Sequence, residues 1–123
     1  MIGSPNGFYG VFDGDGSSFG YFPPTGSGDI EKQFEAYMSA HGKLAQPLRF
    51  GNGSDYVGFL DVGVPVGGLF TGAPPQSNCY HTKRDNIDNI NWEILTFIVK
   101  VCAVALPPEG QRERREEEFG GIS

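Results

Sequence analysis

The chain has 123 residues and a formal net charge of -6, from 15 acidic and 9 basic side chains. That length suits one domain with a modest core. The acidic balance excludes the basic face that phosphate-backbone binding needs, so nucleic acid is not an expected partner. With only 2 Cys, Cys79 and Cys102, there is no disulfide framework.

The chain opens on Met1-Ile-Gly-Ser-Pro-Asn, which reads as the end of a strand and a turn. No basic region followed by an apolar run is present, so no signal peptide is expected. No apolar stretch is long enough to span a bilayer, and a membrane is not an expected partner. Phe8 to Phe12 has the aromatic, apolar character of a short strand. Asp13-Gly-Asp-Gly breaks it, and Phe19 to Gly28 reads as a Pro/Gly/Ser loop.

A first helix is expected over Asp29 to His41. Ser27 or Asp29 can cap it, and Asp29 and Glu31 favour the positive end of its dipole. Ile30, Phe34, Tyr37 and Met38 recur at helical spacing and make one apolar face. Gly42 can adopt the left-handed conformation that ends it. Pro47 to Phe50 reads as a short strand, and Tyr56 to Val62 as a short helix stopped by Gly63. Asp55 precedes that helix, either as its cap or as a support for neighbouring loops. Val64 to Phe70 reads as a buried strand, with something packed close to the backbone at Gly67 and Gly68.

Thr71 to Asn86 is a long irregular loop, of the kind that usually carries function. A last helix begins at an Asn91 cap and ends at Pro107 and Pro108. Its apolar stripe is Ile94, Leu95, Ile98, Val101, Cys102, Ala105 and Leu106, so Cys102 is expected to face the core. Residues 107–123, with the run Arg-Glu-Arg-Arg-Glu-Glu-Glu, read as a charged, disordered tail. Strands alternating with helices give an α/β fold. The strands and helices are few, so part of the sheet is expected to lie bare, a surface for self-association.

The chemistry concentrates in Cys79-Tyr-His-Thr-Lys-Arg-Asp-Asn-Ile-Asp. Tyr80 offers a phenol that can donate to a developing oxyanion. His81 offers an imidazole, which Asp85 or Asp88 could orient through its second nitrogen. Zinc needs three or four protein ligands, and the other His, His41, closes a helix far away in sequence. On these residues alone, His81 reads as an ordinary surface histidine.

Ser54 to Ala73 and Cys79 to Asn91, in this order after the opening Met-Ile-Gly-Ser-Pro-Asn, resemble the C-terminal part of the secreted di-zinc aminopeptidases. Those are the leucine-aminopeptidase-like members of metallopeptidase family twenty-eight. The resemblance covers residues 1–106. It implies part of a three-layer α/β/α fold with a mixed sheet, the C-terminal portion of a zinc-exopeptidase fold.

It further implies removal of N-terminal residues from peptide substrates, with two zinc ions as cofactors and a secreted location. His81 matches the last metal-ligand His and Tyr80 the Tyr that steadies the tetrahedral intermediate. Gly67 and Gly68 match a strand beside the substrate pocket; Asp55 and Asp85 are expected to support the site. The remaining zinc ligands and the general base of the family pattern fall before Met1. The chain is therefore expected to be a piece that is inactive alone and holds zinc weakly. Alternatively, it is a non-catalytic remnant that binds a protein partner. Two departures bear on the site. Arg84 stands where a Cys commonly pairs with the Cys79 position, and Asn52-Gly53 stands where an Arg commonly precedes Ser-Asp.

Overall fold

The computed structural model describes residues 1–5, 8–72 and 79–105. The expected tail and the middle of the long loop, 73–78, lie outside the described residues, as does Leu106. The elements run β1 (Gly10–Phe12), α1 (Ser27–Ala40), β2 (Gln46–Leu48), α2 (Tyr56–Asp61), β3 (Leu69–Phe70) and α3 (Trp92–Ala105). A 3₁₀ turn, Ile87–Asn89, leads into α3.

The fold is α/β with a mixed sheet in the order β2-β1-β3. β1 runs parallel to β2, with Val11 opposite Pro47. It runs antiparallel to β3, with Val11 opposite Leu69. Pro47 has no N–H to give, which suits an edge strand.

Alternation along β1 separates two faces. Val11 points to the side covered by α1 and α3. There it joins Phe34, Met38, Ile94, Ile98 and Val101 in one buried cluster. Each such side chain stabilises the fold by roughly 1.5–3 kcal/mol through removal of apolar surface from water. Phe12 points the other way. Its ring stacks on Phe50 at 5.0 Å and leans on Tyr56 at 5.3 Å, so the first residue of α2 begins the third layer.

Several element ends differ from the sequence reading. α1 starts at Ser27, and neither Ser27 nor Asp29 caps it. The N-cap is Gly26, at φ 102°, a conformation open to a residue without Cβ. The Ser27 hydroxyl accepts instead from Val66 N at 3.0 Å. The other end is as expected. Gly42 is left-handed at φ 72°, and Lys43 N closes on Met38 O at 2.8 Å.

The buried strand expected over Val64 to Phe70 shrinks to Leu69–Phe70. Pro65 cannot donate, and Val66 spends its N–H on Ser27. In α3 the Asn91 cap holds, with Oδ1 accepting from Ile94 N at 3.1 Å. Its buried stripe is only Ile94, Ile98 and Val101. Cys102 is exposed rather than facing the core, because it lies about 100° round the helix from Val101.

Candidate functional site

Three backbone ties assemble the surroundings of His81. Thr71 is fully buried just after β3. Its N–H donates to Met1 O at 2.9 Å, and its hydroxyl accepts from Ser4 N at 3.0 Å. Gly3 O accepts from Asn91 N at 3.0 Å, which fixes the opening segment to the start of α3. The third tie is a turn: Thr82 N and Oγ1 both donate to Cys79 O, at 3.0 and 2.6 Å.

His81 occupies the third position of that turn at φ 56°, and among the described non-glycine residues it alone has positive φ. Turns of this kind usually place Gly there, since a Cβ at left-handed φ costs about 1–2 kcal/mol. A strained residue held by surrounding bonds is a common feature of functional sites. Tyr80 and His81 are both exposed, and their rings stack at 3.9 Å. Both line a concavity of about 420 Å³ with Ser4, Asp85, Ile90 and Leu95. Its lining combines the apolar side chains of Ile2, Ile90 and Leu95 with a phenol, an imidazole and a carboxylate. The Ser4 hydroxyl in its wall is buried and has no hydrogen-bond partner among the described residues.

Size does not single this concavity out. Another of about 430 Å³ lies beside Arg49 and α2, and a third of about 440 Å³ beside Lys43 and Phe97. What distinguishes it is the pairing of an imidazole with a phenol.

The structure thus brings Tyr80, His81 and Asp85 together and leaves the other candidates apart. Neither Asp85 nor Asp88 holds the imidazole among the described residues. Their N–H groups donate to Thr82 O at 3.1 Å and to Asn86 Oδ1 at 3.0 Å. Asp55 is exposed at the N-cap of α2, but its side chain makes no capping hydrogen bond, against the cap reading. The close packing at Gly67 and Gly68 comes from α1 and β1. A Cβ on Gly67 would run into Ile30, and one on Gly68 would lie 2.6 Å from the Phe12 ring. Neither glycine lines the concavity.

Sequence reading missed Ser4 and Thr71, because the contact between them spans 67 positions and leaves no local pattern. A zinc ion is not matched by the donors at hand. His81 gives one nitrogen, and a structural or catalytic zinc takes three or four protein ligands. Among the described residues, the metal-capable group of three or more is Asp13, Asp15 and Glu31, which does not include His81.

An α/β fold does not by itself say which chemistry an exposed imidazole and phenol perform. The family model described as "Peptidase family M28" matches residues 2–106, and the chain belongs to that family. It is 40% identical over 112 residues to an aminopeptidase of Pseudomonas aeruginosa, covering 77% of this chain and 21% of that protein. It is 37% identical over 124 residues to a probable leucine aminopeptidase 2 of Aspergillus fumigatus, covering 86% of this chain and 25% of the relative. Leucine aminopeptidase 2 of Trichophyton rubrum is 37% identical over 123 residues, with the same shares. The chain therefore spans a quarter or less of the length of these curated relatives.

Proposed function

We propose that this chain contributes His81 and Tyr80 to a zinc-dependent aminopeptidase site. His81 is one metal ligand, and Tyr80 donates a hydrogen bond to the oxyanion formed when the scissile carbonyl is attacked. The other ligands and the general base come from polypeptide outside these 123 residues. The observation that carries the reading is the placement of His81. A turn holds it at φ 56°, where Gly would be less strained, and it lines a concavity together with Tyr80. Bound zinc would supply activated water and a polarised carbonyl. One imidazole does not hold zinc against water, so the chain alone is inactive.

Two experiments test this. The purified chain with added zinc should not hydrolyse leucine p-nitroanilide above background; turnover that His81→Ala abolishes would refute the inactivity. Residues 1–106 should also replace the matching segment of an active family member. In that chimera His81→Ala should remove activity and lower the bound zinc. Tyr80→Phe should cut kcat by roughly 10²-fold with zinc content intact. A chimera that stays active without His81 refutes the assignment.

A second reading is a non-catalytic module that pairs with a second copy of itself. Trp92, Val99 and Val104 of α3 are more than half exposed, and β2 and β3 are both edge strands. Light scattering behind a sizing column decides it: a monomer at tens of micromolar removes this reading.

A further inference from the structure

Away from His81, three carboxylates converge where β1 gives way to α1. Asp13 directly follows β1, Asp15 lies in the next turn, and Glu31 comes from the second turn of α1. One oxygen from each lies within 4.8 Å of the others. Two of the three are buried, Asp13 at 2% exposed and Glu31 at 5%, while Asp15 is exposed.

Backbone N–H groups hold the oxygens in place. Asp13 Oδ2 accepts from Ser18 N at 3.1 Å and from Phe19 N at 3.0 Å. Asp15 Oδ1 accepts from Ser17 N at 2.9 Å, and Glu31 Oε2 from Gly14 N at 3.0 Å. The other Asp13 oxygen, Oδ1, is buried with no hydrogen-bond partner. The charges that act on Glu31 are all negative, from Glu35, Asp15 and Asp13. A buried carboxylate oxygen without a donor, beside two further carboxylates, lacks compensating positive charge.

We propose that Asp13, Asp15 and Glu31 bind a divalent cation, calcium in preference to zinc. The donors are all hard carboxylate oxygens, with no nitrogen or sulfur, which suits calcium or magnesium. Calcium is favoured over magnesium because irregular loops provide its longer, less regular coordination more readily than a strict octahedron. Backbone carbonyls and water complete its 6–8 ligands. The ion would pin the loop after β1 to α1, so it belongs to the scaffold. The proposal does not depend on the peptidase reading, and its test needs no catalysis.

The test titrates calcium into the full chain stripped with EDTA, by calorimetry and by far-UV circular dichroism melting near neutral pH. One ion should bind per chain, with a dissociation constant at or below about 1 mM, and should raise Tm reversibly with EGTA. If the stripped chain melts broadly, a calcium-dependent gain of helical signal serves in place of Tm. Magnesium should bind more weakly and zinc should not compete. Asp15→Asn, at an exposed position, should weaken calcium by about tenfold or more without loss of helical signal. Glu31→Gln should do the same. No effect of about 10 mM calcium on a folded chain overturns the proposal, as does unchanged affinity in both variants.

Discussion

Replacing Glu31 with Gln isolates the cost of one buried charge. The Gly14 N–H bond to Oε2 can pass to the amide oxygen, so the variant removes charge and little else. Burial raises the Glu31 carboxyl from 4.5 to about 7; the Gly14 bond opposes this, and Glu35, Asp15 and Asp13 add to it. The folded chain therefore binds this proton more tightly than the unfolded chain. Between pH 4.5 and about 7 the native state carries more protons, so its stability is full below 4.5 and falls as pH rises through 7. At about 1.4 kcal/mol per pH unit, ionised Glu31 costs the calcium-free fold up to about 3 kcal/mol. Glu31→Gln removes that cost. In EGTA, urea unfolding should show the variant up to about 3 kcal/mol more stable than the parent at pH 8, and nearly equal to it at pH 4. Saturating calcium should reverse the order at pH 8. A variant that is less stable at pH 8 in EGTA, or that keeps the parent's slope between pH 5 and 7, refutes the reasoning.

Other outcomes follow from particular contacts. Ile98 is fully buried in the cluster with Val11, Phe34 and Met38; Ile98→Ala should cost about 2–5 kcal/mol in urea unfolding. Asn91→Ala removes the acceptor for Ile94 N and should cost about 1 kcal/mol. His81→Gly and His81→Ala both delete the imidazole, but only Ala keeps a Cβ at φ 56°. The Gly variant should be the more stable by about 1 kcal/mol, and equal thermal midpoints would remove the strain argument.

What the sequence revealed was what local chemistry decides. Asn91 before an apolar run and Gly42 after one are read correctly because cap and stop act over a few residues. The start of α1 was misread because the Ser27 hydroxyl has a competing partner, Val66 N, 39 positions away. Cys102 was misread because an apolar composition on nearly all sides of α3 hides which arc meets the sheet. The acidic group was invisible for a third reason. Asp13-Gly-Asp-Gly reads as a strand break and Glu31 as a first-turn charge, and only the packing of β1 on α1 joins them. Tyr80 and His81 stood out in the sequence, but the wall beside them did not, because Met1 to Ser4 is tied there by Thr71, some 70 positions on in the chain.

That wall also separates chemistry from stability. The imidazole and phenol are exposed, and their loop is held by backbone bonds, from Thr82 to Cys79 and from Asn91 to Gly3. The apolar cluster of Val11, Phe34, Met38, Ile94, Ile98 and Val101 includes neither ring. A change at Tyr80 or His81 therefore alters what the loop presents without reaching the core. A change at Thr71 does the opposite: both rings remain, but the segment beside them loses the hydroxyl that holds Ser4 N. Loss of function at unchanged stability points to the rings, and joint loss of both points to the ties. The same criterion distinguishes the acidic group, where removing charge strengthens the calcium-free fold while weakening its hold on the cation.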